Sequence, residues 1–321
     1  MGWRSVDAMS DQAAELRKLV LAETRVAVAN VEHRPRLLVI AGAKGGVGAT
    51  TAAVNLAVAL ADHGARVVLV DADPHRAGVA SLCGLDEQQG LADVLAARRD
   101  IHEVLVRGPA GIQVVPGVWA PTRRAPFALG TPAATAVGGN PDELFSERAA
   151  SRLLRQLSSL GRHAEWAVLD AGQGPSLLLR RLWLAADVSV MVTTPDSLAV
   201  MDAYAGLKRL VDDPPRQPPC LLVSHANSRQ EALDVHGRIE QACQRFLGGE
   251  LRLAGHVPAD ARVPAAAEQR KPVVAWAAES SASIAFSQIA AALLAESPIG
   301  SPSNTLGDDS NGNWRGRQVV A

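Results

Sequence analysis

A lysine, three glycines and two threonines stand together in Lys44-Gly45-Gly46-Val47-Gly48-Ala49-Thr50-Thr51. Glycines at this spacing let backbone N–H groups turn inward around an anion, and a helix opening near Thr50 adds its positive end at the same point. The chemistry this predicts is the holding of phosphate; the plainer alternative is a strand-to-helix turn that only packs closely. Carboxylates follow at Asp71 and Asp73, and again at Asp170, each behind an apolar run, Val67 to Val70 and Trp166 to Leu169. Buried parallel strands deliver such residues to their C-terminal edge, where α/β sheets bind ligands. Paired aspartates at a strand end can also cap the following helix.

The elements that must position these residues are legible on either side of the loop: an apolar run, Leu37 to Ile40, precedes it, and a helical pattern, Ala52 to Ala61, follows. Strand, glycine loop and helix together, with Lys44 ahead of the glycines, resemble the deviant P-loop of the MinD/ParA ATPases, K-G-G-x-G-K-[ST]. The resemblance makes Lys44 the signature lysine with a catalytic role. Gly45, Gly46, Val47, Gly48, Ala49, Thr50 and Thr51 become the contacts to ATP, and the Thr50 hydroxyl a magnesium ligand. Two positions depart from the pattern. Ala43 replaces the first glycine, and Ala49 stands where the general motif places the lysine that reaches the β- and γ-phosphates. A charge-assisted hydrogen bond contributes about 1.5–3 kcal/mol, and a charge aimed at a transition state roughly 10²–10³ in rate. The fold is expected to survive Ala49, with hydrolysis slow or absent.

Further stretches extend the likeness. It implies that Asp73 positions the attacking water and that Asp71 and Asp170 help hold magnesium, Asp170 as the Walker B carboxylate. Ala171-Gly172-Gln173-Gly174-Pro175-Ser176 resembles the second switch, D-T-G-A-G-I-S, with Gln173 and Pro175 as departures. Pro175 stiffens a loop that should sense the γ-phosphate. Thr193-Thr194-Pro195-Asp196-Ser197-Leu198-Ala199-Val200-Met201-Asp202-Ala203-Tyr204 follows T-T-P-E-P-T-(x)2-T-D-A-Y. Ser224 takes the place of the asparagine that reads adenine, and Gly255 to Asp260 resembles the base-side loop I-P-x-D, which puts Pro258 at the nucleotide. Lys271-Pro272-Val273-Val274 resembles a later R-P-V-V. His225 and His256 lack metal-ligand spacing.

Near the N-terminus, Asp11-Gln12-Ala13-Ala14-Glu15-Leu16-Arg17 matches D-Q-A-x-x-L-R, which resembles the activator helix of the FlhG family, also called YlxH or FleN, that engages the GTPase FlhF. Ser10 can cap this helix, and Ala13, Leu16 and Val20 share one face. Thr24 to Pro35 reads as a linker, so the helix is expected to move independently; docking on its own domain is the alternative.

At 321 residues, 48% hydrophobic and with net charge −1, the chain can bury a large core in one α/β domain or two small ones. The expected class is α/β, a mostly parallel doubly wound sheet with helices on both faces. The expected plan is a helix and linker over 1–35, a P-loop domain over 36–296 with a long Pro/Gly-rich loop near 118–142, and a disordered tail over 297–321. Near-neutral charge argues against nucleic acid as an obligate partner, which weakens a ParA-like DNA-partition reading. Cys83, Cys220 and Cys243 lack C-x-x-C spacing, and a reducing cytoplasm is expected. No apolar run approaches the ~20 residues of a membrane span. A tail broken by Gly316 does not predict an amphipathic membrane helix, while peripheral contact by another route stays open. The implied cofactors are ATP and magnesium; the implied partners are an FlhF-like GTPase and a nucleotide-linked second copy. A degenerate, non-cycling adaptor is the other reading, favoured by Ala49, Ser224 and Pro175.

Overall fold

In the computed structural model, residues 34–74, 76–86, 89–117, 146–210 and 217–296 are described. The Asp11–Arg17 motif, the 118–142 loop and the 297–321 tail lie outside the described residues. Eight strands form one sheet: β1 (Arg36–Gly42), β2 (Val67–Asp71), β3 (Val106–Arg107), β4 (Gln113–Val115), β5 (Trp166–Gln173), β6 (Val188–Thr193), β7 (Cys220–Ala226) and β8 (Arg252–Pro258). Their order is β3-β4-β2-β5-β1-β6-β7-β8, and every pair is parallel except β3 with β4. Beyond Arg36, every residue of β1 is buried, as is all of β2. Continuous apolar strands of this kind require cover on both faces.

One face carries α1 (Ala49–Asp62) and α10 (Ser281–Ala295); the other carries α4 (Glu147–Ser159), α5 (Leu177–Ala185), α6 (Ser197–Leu210) and α7 (Arg229–Leu247). Between them in the chain come α2 (Gly78–Leu82), α3 (Leu91–Leu95), α8 (Arg262–Glu268) and α9 (Val273–Trp276). The expected doubly wound α/β class is what the chain adopts. From Ala52 to Leu60, α1 is buried on every side, the condition of a helix enclosed by core rather than lying on it. The alanines at 52, 53, 57 and 59 keep the helix thin enough to fit between the sheet and α10. Within it, Asn55 donates to the Thr51 carbonyl at 2.8 Å and accepts from the Val274 amide at 3.1 Å, fixing α9 to the helix that leaves the glycine loop.

Several boundaries differ from the sequence expectation. β8 occupies what reads as a base-side loop, because its edge position leaves Arg252 and His256 partly open and breaks the apolar run. β5 continues past Asp170 to Gln173 through a register shift against β1, in which Gly42 pairs with Gln173. β7 likewise runs through Ser224 rather than ending before it. All three cysteines are buried and free.

Candidate functional site

The loop from Lys44 to Gly48 leaves β1 at the sheet's C-terminal edge, next to the point where successive connections change direction across the sheet. Gly46 and Gly48 hold φ of 84° and 91°, left-handed values that other residues rarely adopt. Gly48 is also the N-cap of α1 and supplies no side-chain cap, so the first amides of that helix remain available to an anion. Ala49 is the first helical residue, and its methyl lies 3.3 Å from where a Cβ on Gly42 would stand. Lys44 is drawn elsewhere in its own chain: its Nζ lies 2.9 Å from Asp196 Oδ1. Asp196 caps α6 by accepting the Ala199 amide at 2.9 Å and takes the Thr194 hydroxyl as well. The Thr194 hydroxyl, Lys44 and the Ala199 amide, in that order, hold its carboxyl well below the usual carboxylate range.

Asp71 and Asp170 are register partners on adjacent strands, and neither exposes any surface. Asp71 accepts the Val79 amide at 3.1 Å and the Asp73 amide at 3.4 Å, so both its oxygens are engaged in holding the turn into α2. Burial first, and Asp170 second, push its pKa well above the ordinary value. Asp170 Oδ1 accepts the Gly172 amide at 3.3 Å, whereas its Oδ2 is buried with no hydrogen-bond donor in place among the described residues. Burial pushes this carboxyl up to about 6, although the nearby Thr50 hydroxyl pulls it back.

An oxygen in that condition, beside a threonine hydroxyl and below an anion cradle, fits a hard cation that completes its shell with phosphate oxygens and water. Among the described residues no group of three or more His, Cys, Asp or Glu is arranged to hold a metal ion. Asp73, 6% exposed, packs against Gly172: a Cβ on Gly172 would come within 2.5 Å of its Cγ. Gly172 itself holds φ of 68°.

Ser224 is set against the glycine loop, its Oγ 3.3 Å from where a Cβ on Gly48 would lie, and 3.0 Å from His225 Nδ1. His225 has φ of 58°, a turn into αL at the strand's end. Pro258 closes β8 in register with Ala226, and Asp260 beyond it accepts the Arg262 amide, the Ser281 hydroxyl and the Ala282 amide, so that carboxylate is committed to the scaffold. The structure therefore gathers Lys44 to Thr51, Asp71, Asp73 and Asp170 around one sheet edge, with Ser224 beside them. Residues not singled out in the sequence are Asn55, which anchors α9, and Asp196 as the partner of Lys44.

A family model described as the CobQ/CobB/MinD/ParA nucleotide binding domain matches residues 38–273. The antiactivator FleN of Pseudomonas aeruginosa is 31% identical over 258 residues, spanning 80% of this chain and 86% of that protein. The septum site-determining protein MinD of Bacillus subtilis is 28% identical over 269 residues, spanning 81% and 89%. Among solved structures, the cell division ATPase MinD of Pyrococcus furiosus superposes with a TM-score of 0.63 at 20% identity, covering 81% of this chain and 98% of that one. No helix among the described residues is long and apolar enough to cross a membrane. With sheet order, glycine loop and sequence likeness in agreement over most of its length, the chain belongs to the CobQ/CobB/MinD/ParA nucleotide-binding domain family.

Proposed function

We propose that the chain is an ATP-binding regulator of the FlhG type that governs flagellar number or placement, switching between monomer and dimer with slow or absent hydrolysis. The observation that carries this reading is the pairing of an intact cradle with a displaced charge. The positive-φ glycines, the uncapped start of α1, Thr50 and Asp170 Oδ2 are in place. Lys44, meanwhile, is parked on Asp196 and Ala49 supplies no cation. The similarity to FleN, and to the flagellum site-determining protein YlxH of Helicobacter pylori at 25% identity, supports the flagellar assignment.

In this reading the loop amides and the α1 terminus bind the β-phosphate. Thr50 and Asp170 would hold magnesium, whose positive charge would help offset that of the triphosphate. Asp73 would orient the attacking water, a role its closeness to Gly172 supports. Lys44 exchanges Asp196 for the phosphates of a second copy, so nucleotide and dimer stabilise each other. Missing one contact of about 1.5–3 kcal/mol weakens binding roughly ten- to over a hundredfold, which still permits occupancy at millimolar ATP. The Asp11–Arg17 segment is assigned to an FlhF-like GTPase partner.

Calorimetric titration with magnesium and ATP, together with a turnover assay, compares the parent with Ala49→Lys. Tighter binding and measurable hydrolysis are expected in the lysine variant, and hydrolysis is lost again when Asp73→Ala is added. Robust turnover by the parent overturns the slow-cycle reading. Absence of nucleotide binding by both forms favours the non-cycling adaptor instead, the reading to which Ala49 and Pro175 also lend themselves.

A further inference from the structure

Gln173 sits at the end of β5, in register with Gly42 at the mouth of the glycine loop. Its side chain extends over that loop: a Cβ on Gly45 would meet Gln173 Nε2 at 3.1 Å and Oε1 at 3.4 Å. A side chain at position 45 would crowd the carboxamide and oblige it to shift by a few tenths of an ångström. Among the described residues the carboxamide has no hydrogen-bond partner, and solvent reaches part of it. Its backbone is flanked by Gly172 and Gly174, at φ of 68° and 78°, which anchor an otherwise strained turn at either side. On the opposite flank of the same loop, Lys44 is held away by Asp196 at 2.9 Å, and Ala49 ends in a methyl. The loop thus lacks a cation from its own helix but has an uncommitted neutral donor laid across it from the second switch.

We propose that Gln173 donates Nε2–H to the terminal phosphate of a bound nucleoside triphosphate, and that this contact makes the chain distinguish tri- from diphosphate despite Ala49. The inference rests on the phosphate-cradle reading above. A carboxamide fits this task in a way that an acidic side chain would not, because it presents two N–H groups to an anion without a like charge. Being neutral, it does not replace the positive charge that the missing lysine would bring to the transferring phosphoryl group, which agrees with binding that outlasts hydrolysis. Its position on the residue pinned to Gly42 also gives the second switch a direct mechanical link to the γ-phosphate, in a loop that Pro175 has otherwise stiffened.

The test is calorimetric titration of the parent, Gln173→Ala and Gln173→Glu with magnesium and either ADP or the β,γ-imido analogue of ATP. Gln173→Ala is expected to weaken the triphosphate analogue by about tenfold, the usual worth of a hydrogen bond to a charged group. ADP affinity should stay within about twofold, which also serves as the control for folding. Gln173→Glu should weaken the analogue further through like charge. In an Ala49→Lys background the loss from Gln173→Ala should shrink, since two donors to one phosphate are not independent. Equal losses for ADP and the analogue overturn the proposal, as does tighter binding by Gln173→Ala, which would make the carboxamide an obstruction. If neither the parent nor Ala49→Lys binds either nucleotide, the cradle reading fails and takes this inference with it; binding with an unchanged preference in Gln173→Ala defeats this inference alone.

Discussion

Replacing Asp170 by asparagine should make the nucleotide-free protein more stable while removing its response to magnesium nucleotide. The Asp170 carboxyl is fully buried beside Asp71, and its pKa lies at about 6 rather than the ordinary 3.8. Because the folded-state value is the higher one, the group imposes no penalty below pH 3.8, and stability is lost as pH climbs from there through 6. At pH 8, keeping this carboxylate charged in the folded chain costs about 3 kcal/mol relative to the unfolded one. An asparagine keeps the acceptor for the Gly172 amide but buries an N–H, which takes back about 1–3 kcal/mol and leaves a gain of roughly 0–2 kcal/mol. Urea denaturation of the parent and Asp170→Asn, without nucleotide, at intervals from pH 4 to pH 8 measures this. The advantage of the variant should be smallest at pH 4 and widen to its full size above pH 6, while added magnesium and ATP should raise the midpoint of the parent only. A difference between the two proteins that does not change with pH, or a variant less stable than the parent at pH 8, would refute the reasoning about a buried, unsatisfied carboxylate.

Light scattering with magnesium and the imido analogue should show dimer in the parent and monomer in Lys44→Ala; Asp196→Asn, which loosens the hold on Lys44, should dimerise at lower analogue concentration. A peptide covering Met9 to Thr24 should stimulate an FlhF-type GTPase by itself, with Leu16→Asp abolishing the effect and Glu15→Ala changing it little; no stimulation at saturating peptide would leave the motif without an activator role. Asn55→Leu should lower unfolding stability by about 1–3 kcal/mol, because the Val274 amide loses its acceptor in a buried position; a loss below a few tenths would mean that α9 finds another partner.

The central strands are readable from the chain because enclosure on both faces demands unbroken apolar runs, as at Leu37 to Ile40, Val67 to Val70 and Val188 to Val192. That same rule hides β8, where an edge position admits Arg252, Gly255 and His256, and β3, which is two residues long. Glycines at 172 and 174 read as loop, yet β5 passes through Gly172 and carries Gln173 within the sheet. The phosphate loop and the three aspartates are visible as residue types at strand ends. What each touches is not: Asp71 uses its oxygens on backbone amides, whereas Asp170 keeps one unsatisfied, and both end the same kind of apolar run. The Lys44–Asp196 pair spans 152 positions, a separation at which no local spacing rule operates. Gln173 stands out by identity alone; its approach to Gly45 depends on a register shift that composition does not announce.

Where the chain enters the sheet, Arg34 grips Asp187 with both guanidinium nitrogens, at 2.9 and 2.6 Å, and Asp187 also accepts the Leu37 amide at 2.9 Å. This clamp fixes a mooring point at the N-terminal end of β1, opposite the glycine loop. Covalent geometry alone limits the distance between this point and Arg17, across the stretch from Lys18 to Arg34, to at most about 60 Å. Whatever its conformation, the Asp11–Arg17 segment stays within that distance of the clamp. If the proposed GTPase contact is made there, the partner is held within that reach of the nucleotide-binding body, and deletions between Lys18 and Arg34 shorten the reach without touching either surface.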